Sequence, residues 1–454
     1  MKVKVQLPKS VDKILDKFSR SGYEIYIVGG AVRDLILGKI VEDWDFTTNA
    51  TPDEILKTIK GGLYNNKYGT VFSPNPDDPE KPHEITTYRK EEKYKDARHP
   101  ESLVWGKTLD EDLSRRDFTI NAMALKTTKK NIQEYELIDK FEGKKDLDKR
   151  IIRTVGNPNE RFSEDALRMM RAIRIAAELG FTIEEKTLNA IKQNASLINR
   201  IAKERIKEEL FKLLSSPHPY QGILMFKNSG LMSEIIPELE KTFGVNQKSP
   251  GRHHIYDVGT HLLMSLKSCK SKNPIVRFAT LVHDIGKPQT YKVQENGITT
   301  FYNHEIVSTK IAENIAERLR FSKKEKDKFI KLVRFHQFTL DEKQTDSSIR
   351  RFIKNVGKEN IKDMLDLRVA DRLGGGAKET SWRLEEFKKR LIEIQKQPFT
   401  VKDLKIDGED VMKTLHIKSG PEVGKILDKI YEEVVSKKVP NEKGVLLSEL
   451  KNLK

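Results

Sequence analysis

A single cysteine, Cys269, stands among 454 residues. That excludes an intramolecular disulfide and any zinc site built from cysteines. Long apolar runs are also missing, since none approaches the ~18 residues of a membrane span. The opening Met1-Lys2-Val3-Lys4-Val5-Gln6-Leu7-Pro8 has no apolar stretch of the secretory kind. A cytoplasmic, reducing setting with no membrane partner is the expectation. There is no internal repeat and no low-complexity tract. Hydrophobic residues make up 37%, with 26 glycines besides, and charged residues 33%, above the usual quarter. This is enough apolar material for real cores and argues against wholesale disorder. At about 150 residues per domain, the length suggests roughly three domains.

Charge is what the chain has in excess. Lys and Arg number 84 against 68 Asp and Glu, a formal net charge of +16. Two readings stand: lysine-rich solvation of helix faces, or a polyanionic partner, most often nucleic acid. The positive charge is not gathered in one amphipathic terminal segment, so a membrane surface fits less well.

Residues 11–21 read as a short helix around Ile14, Leu15 and Phe18. Residues 23–28 are a strand by composition, running into Gly29-Gly30 and a helical segment 31–37 closed by Gly38. Further strands are expected at 41–46, 84–88, 118–125 and 134–138. Pro74, Pro76, Pro79 and Pro82 mark a turn-rich insertion, and the charge-dense stretch 89–112 reads as a mobile loop. The first 150 residues thus read as an α+β head with a mixed sheet. Beyond Ile152 helical periodicity takes over, at 161–180, 184–198, 202–215 and 219–230, and persists almost to the end. The expected layout is a head at 1–150, a helical neck at 151–245, a helical body at 246–395 and a tail at 396–454, set off near Gln397-Pro398.

The head carries the first chemistry. Asp43-Trp44-Asp45 is read within a strand, where residues two apart share a face. Both carboxylates can then hold hard divalent cations, with Trp44 turned away. Upstream, Gly29-Gly30 allows a phosphate close to the backbone, and Arg33 lies one turn into the following helix. The combination suits metal-assisted nucleotidyl transfer. Glu84 is either a third carboxylate or a solvated strand end. Arg115 and Arg116 suit triphosphate oxygens as bidentate donors; the competing reading is a salt-bridged strand entry with Asp117 as partner.

Residues 162–181 read as one helix with Ser163 as N-cap. Ala166, Met169, Met170, Ile173, Ala176 and Ala177 share one face, and Asp165, Arg168, Arg171 and Arg174 step around the other. For a generic helix the second face is solvated, with Asp165–Arg168 as an ion pair. A chemical alternative exists. Cytosine and adenine both offer an amino group beside a ring-nitrogen acceptor. A carboxylate accepts from the first and a guanidinium donates to the second, whereas uracil and guanine put a carbonyl where the amino group would be.

Val28-Gly29-Gly30-Ala31-Val32-Arg33-Asp34, then Asp43-Trp44-Asp45, then residues 115–124, then Glu164-Asp165-Ala166-Leu167-Arg168 occur in order. Together they resemble the class II tRNA nucleotidyltransferases, the CCA-adding enzymes and their poly(A) polymerase relatives. The resemblance is dense over residues 20–240 and looser beyond. It implies a nucleotidyltransferase head followed by a mostly helical neck, body and tail, with CTP, ATP and the acceptor end of tRNA as partners. It implies Mg²⁺ on Asp43 and Asp45 as the catalytic pair, and triphosphate contacts from Gly30, Arg33 and Arg116. It further implies base reading by Asp165 and Arg168, with Arg171 and Arg174 helping to hold the nucleotide. A loop like 89–112 is linked in the family to the switch from C to A. His99, where many relatives have a second Arg, and Lys140 after Asp139 depart from the family pattern.

His283-Asp284, with His261 upstream and Asp371 downstream, resembles the ligand order of HD-domain phosphohydrolases, which some tRNA nucleotidyltransferases carry. That implies a second divalent metal on these four residues, beside a structural reading of the same His-Asp pair. His304 and His336 are also available. The turn Gly420-Pro421-Glu422-Val423-Gly424 either presents amides to an RNA phosphate or only caps a helix; the resemblance favours the first. The leading expectation is template-independent addition of C, C and A to tRNA. The rivals are an A-adding enzyme or poly(A) polymerase of the same fold, an HD phosphohydrolase whose head only binds nucleotide, and a non-catalytic RNA-binding protein.

Overall fold

The computed structural model describes residues 1–64, 69–90, 104–127, 134–247, 255–295, 297–338, 345–395, 401–436 and 438–452. The head is built on a seven-stranded mixed sheet. Its strands are β1 (Lys2–Lys4), β2 (Ile25–Val28), β3 (Asp45–Thr48), β4 (Thr70–Ser73), β5 (His83–Thr87), β6 (Met123–Thr127) and β7 (Glu134–Asp139), in the order β1-β7-β6-β2-β3-β5-β4. Only β3 and β5 run parallel. All four residues of β2 are buried, as befits a strand covered on both faces. Helix α1 (Lys9–Arg20) lays Val11, Ile14, Leu15 and Phe18 onto the sheet, at the spacing of one helical face.

Three expected head elements are corrected. Asp43 lies in a bend ahead of β3 rather than in a strand. Its would-be partner strand has already ended: Val28 pairs with Asp45, and Gly29 turns away with φ +71°. The expected strand 118–125 begins only at Met123, because residues Thr119–Asn121 form a 3-10 turn. Asp117 holds that turn by accepting from Phe118 N at 2.8 Å and Asn121 Nδ2 at 3.2 Å. The stretch 89–112 is not wholly loop. Arg89–Lys90 pairs with Val104–Trp105, and α3 (Leu109–Ser114) follows, capped by Thr108 and Glu111. Residues 91–103, His99 among them, lie outside the described residues.

Beyond the sheet the chain is helical. The expected helix 162–181 is two helices, α4 (Pro158–Glu164) and α5 (Leu167–Leu179). Asn157, not Ser163, caps α4 by accepting from Asn159 N at 3.0 Å. The Ser163 hydroxyl donates to Glu160 O instead. Helix α6 (Lys203–Ser215) packs against α5. The body follows with α7 (Val258–Ser268), α8 (Pro274–Val282), α9 (His304–Arg318), α10 (Lys323–Arg334) and α11 (Ile361–Gly374). Gly374 meets α7 so closely that a Cβ there would stand 2.6 Å from Ser265 N, and this contact draws α11 against α7.

One hydrophobic core runs without interruption from Leu7 to Ile394. The tail helices α12 (Gly408–Leu415), α13 (Pro421–Val435) and α14 (Lys443–Asn452) enclose a separate core from Leu404 to Leu450. Among the described residues no helix is long and apolar enough to cross a membrane.

Candidate nucleotide and metal sites

Sheet register sets the first cluster. Asp45 stands opposite Val28 on one side and Glu84 on the other. Burial is the main force on the Asp45 carboxyl, and with Glu84 and Asp43 nearby it is pushed up to about 6 despite Arg116. Burial and then Asp43 raise Glu84 as well. These are hard oxygen donors crowded together, the donor set that suits a hard divalent cation such as Mg²⁺. Asp43 itself is exposed. Gly29 closes the cluster, since a Cβ there would lie 3.2 Å from Asp45 Oδ2 and 3.1 Å from Arg116 Nη1.

The arginines are arranged through carboxylates. Arg115 and Arg116 share buried Asp112, at 2.6 Å and 3.1 Å, rather than Asp117. Burial alone would raise Asp112, but the two guanidiniums hold it at about 2. Asp117 is likewise driven up by burial and held at about 2 chiefly by Arg171, whose Nε and Nη2 donate to it at 2.9 and 2.7 Å. Arg33 donates to Asn121 Oδ1 at 3.0 Å, and Asn121 in turn donates to Asp117. A polar chain Arg33–Asn121–Asp117–Arg171 thus ties the glycine turn to α5. Gly30 opens α2 (Gly30–Ile36), which carries Arg33.

Asp165 sits at the break between α4 and α5, in extended conformation. Its Oδ1 accepts from Leu167 N at 3.0 Å, capping α5, and its Oδ2 accepts from Arg205 of α6 at 3.1 Å. Among the described residues the Asp165–Arg168 ion pair of the generic-helix reading is not formed. Arg168 is buried, pairs with Glu164, and donates to the carbonyls of Arg161 and Arg115, each at 3.2 Å. Arg115, Arg116, Asp117, Asp165, Arg168, Arg171 and Arg205 line a pocket of about 370 Å³ between head and neck. Arg174 does not line it; its guanidinium bridges Glu209 at 2.7 Å and Glu178 at 2.7 Å. Arg205 is the residue of this site that sequence reasoning did not single out. It reaches Asp165 from 40 positions away, and local pattern gives no sign of that.

A second cluster lies in the body. His261 of α7, His283 at the end of α8, Asp284, and Asp371 of α11 converge, joined by His304 and His336. His261 Nε2 stands 3.2 Å from His283 Nε2 and 3.2 Å from Asp371 Oδ1. His283, His304 and His336 each direct Nδ1 at the carbonyl three residues earlier, at 2.8, 2.8 and 2.7 Å. Held this way, the three rings turn Nε2 toward the cluster, the orientation of metal-ligating histidines. Gly286 admits α9 closely, because a Cβ there would lie 2.5 Å from Ser308 N.

Comparison with known proteins places these sites in context. The poly A polymerase head domain matches residues 25–153, an RNA and SrmB-binding site of polymerase A matches 180–243, and a tRNA nucleotidyltransferase domain 2 matches 291–450. The CCA-adding enzyme of Ligilactobacillus salivarius is 32% identical over 97% of this chain and 95% of its own length. That of Levilactobacillus brevis is 33% identical over 96% and 95%. Among solved structures, the Bacillus stearothermophilus CCA-adding enzyme in complex with CTP superposes with a TM-score of 0.69 at 27% identity, covering 99% of this chain and 98% of that one.

Proposed function

The chain belongs to the CCA-adding enzymes, a family of nucleotidyltransferases, and from that premise we propose that it adds C, C and A in turn to the 3′ end of tRNA, using CTP and ATP. In each step the terminal 3′-hydroxyl oxygen attacks the α-phosphorus, the bond to the β-phosphate oxygen breaks, and pyrophosphate leaves. Asp43 and Asp45 would hold Mg²⁺, and the crowded, half-compensated carboxylates around Asp45 fit that ion. Bound there, Mg²⁺ supplies charge stabilisation to the reacting phosphate.

The remaining roles fall to the chain itself. Gly29 and Gly30 let the triphosphate approach the backbone, and Arg33 and Arg116 receive its oxygens. Asp165 accepts from the amino group of cytosine or adenine, and Arg168 donates to the ring nitrogen. Arg171 holds the pocket wall through Asp117, and Arg174 supports α5 through Glu209 and Glu178. The single observation that carries this reading is the pocket that joins Arg116 to Asp165 and Arg168. The head, neck, body and tail at 1–150, 151–245, 246–395 and 396–454 serve as the working units, with the basic helical part and the Gly420 turn holding tRNA. The cytoplasm is the proposed setting, since buried Cys269 needs no oxidising compartment.

The convergence of His261, His283, Asp284 and Asp371 supports a second reading beside the first: a divalent metal in the body and phosphoester hydrolysis there.

The test is extension of three tRNA ends, lacking CCA, ending in C and ending in CC, with Mg²⁺, CTP and ATP. All three should reach CCA and stop, and Asp45→Ala should abolish the reaction. Extension of the CC end alone would make the chain an A-adding enzyme. A long adenylate tail would make it a poly(A) polymerase, and no extension would refute transfer altogether.

A further inference from the structure

Apart from the histidine cluster, the body holds a cavity of about 490 Å³. The helix Trp382–Gln395 buries Leu384, Phe387 and Leu391, packs on Asp346–Val356 and stands off from α11. The gap between them is the cavity. Ile361, Leu365 and Val369, four residues apart on one face of α11, line one wall. Leu391 and Ile392 line the other, and Ile392 is left 57% exposed. Val369 and Asp371 lie two positions apart, about 200° round the helix axis, so the cavity opens on the face turned away from the histidines. We propose that this cavity binds a nucleotide whose base carries an exocyclic amino group, with the base between the two aliphatic walls against Asp366 and the phosphate on the surrounding lysines.

Size and lining come first. Sites for small ligands measure about 300–1,000 Å³ and combine apolar walls with a few placed polar groups. This cavity meets both conditions, and its facing aliphatic walls suit a flat ring. The polar groups are also sorted by depth. Asp366 is half-buried on the α11 wall and, among the described residues, makes no hydrogen bond and no ion pair. Burial chiefly, and then Asp363, raises its carboxyl above the ordinary value, against the pull of Lys362 and Lys270. Lys270, Lys358 and Lys362 stand exposed around it, and Lys388 is half-buried. Lys270 pairs with Glu379, which also lines the cavity, and Lys388 with Glu385.

This sorting selects the ligand. A purely apolar anion would cover Asp366 with hydrocarbon and leave its carboxylate without a partner. A polyamine would meet four lysines against two carboxylates. An amino-bearing base answers the first difficulty by donating N–H to Asp366, and its phosphate answers the second by meeting ammonium groups. Cytosine and adenine qualify, whereas uracil puts a carbonyl where cytosine has the amino group. The nucleotide can be free or an unpaired unit of an RNA strand, since both present the same base and phosphate. The cavity shares no residue with the pocket that joins Arg116 to Asp165 and Arg168, so it is a second nucleotide site rather than part of the first.

The test irradiates the full chain with 8-azidoadenosine 5′-phosphate and locates the labelled peptides by mass spectrometry. Besides any label in the head, label should appear within residues 358–369 or 382–395. Adenosine and cytidine 5′-phosphates should protect these peptides, and uridine 5′-phosphate about tenfold less well, because a site built to receive an amino group rejects the analogue lacking it. Asp366→Asn should weaken protection about tenfold for the same reason. Ile392→Trp, which fills the cavity from an exposed position, should remove the body label with circular dichroism and tRNA extension unchanged. Protection by tri-adenylate at lower concentration than adenosine 5′-phosphate assigns the site to an unpaired RNA unit, and the reverse order assigns it to the free nucleotide. No label in the body would overturn the proposal. So would a label that Ile392→Trp leaves in place, or uridine phosphate protecting as well as cytidine phosphate. The labelling is read on the parent chain and needs no transfer activity, so its failure and the failure of the transfer reading are told apart.

Discussion

Gly29 and Gly30 are neighbours, yet the same change to alanine has opposite expected sign at each. Gly29 combines φ +71° with ψ −140°, and its Cβ would press on Arg116 Nη1 and Asp45 Oδ2 at 3.1 and 3.2 Å. Backbone strain of this kind costs of order 1–3 kcal/mol. Gly30 is helical, and its Cβ would meet only the flexible end of Arg33, at 3.4 Å. A helical Gly→Ala change adds about 0.5–1 kcal/mol of stability. The two variants should therefore differ by roughly 1.5–4 kcal/mol, which at a urea slope of about 2 kcal/mol/M is roughly 0.75–2 M between midpoints. The assay is urea unfolding followed through Trp44, which is buried beside β3. Gly29→Ala should fall below the parent and Gly30→Ala at or above it. Transfer at low urea should drop about tenfold in Gly29→Ala, since displacing catalytic groups by a fraction of an ångström suffices for that. Equal midpoints, or a larger loss at Gly30, would refute the reasoning.

Arg205→Ala should raise misincorporation of U and G about tenfold, because a selective polar pocket depends on partners held in place, while Arg205→Lys should restore most of the discrimination. Single-nucleotide extension assays read this, and a fall in rate with unchanged selectivity would reduce Arg205 to a support of the fold. Asp112 and Asp117 both have folded values held at about 2, below those of the unfolded chain. Their contribution is therefore present above about pH 4 and lost as pH falls toward 2, by roughly 2 kcal/mol each. Denaturation midpoints between pH 5 and 2.5 should show this, and Asp112→Asn should flatten its share. Affinity for tRNA should fall steeply and linearly in log–log form with salt, measured by filter binding. A flat response would mean that the +16 charge is dispersed solvation.

Strands and helices with strong periodicity were legible from residues alone, as with the buried run of β2 and the apolar face of α5. Breaks were not. Glu164-Asp165-Ala166 looks helical in composition, and only the structure shows the Asp165 side chain bonding Leu167 N to start a new helix. Asp43 was read into a strand because local pattern cannot show that the neighbouring strand ends at Val28. The order of motifs in the chain identified the family and named Asp45, Arg116, Asp165 and Arg168. Which carboxylate serves which arginine could not be read. Asp112 rather than Asp117 takes Arg115 and Arg116, one turn on, and Asp117 crosses to Arg171, a contact that exists only once head and neck meet. The body cluster was more legible: the sequence named His261, His283, Asp284 and Asp371 and noted His304 and His336, though only the fold shows them meeting.

The unbroken interior from Leu7 to Ile394 and the private one of the tail have an evolutionary meaning. Inside the first, a substitution answers to neighbours drawn from head, neck and body together. Among the described residues, the buried side chains of the tail form a cluster of their own. The tail can be lengthened, recharged or exchanged as a unit, so on the proposed reading a descendant could change how it grips RNA without relearning which letters to write.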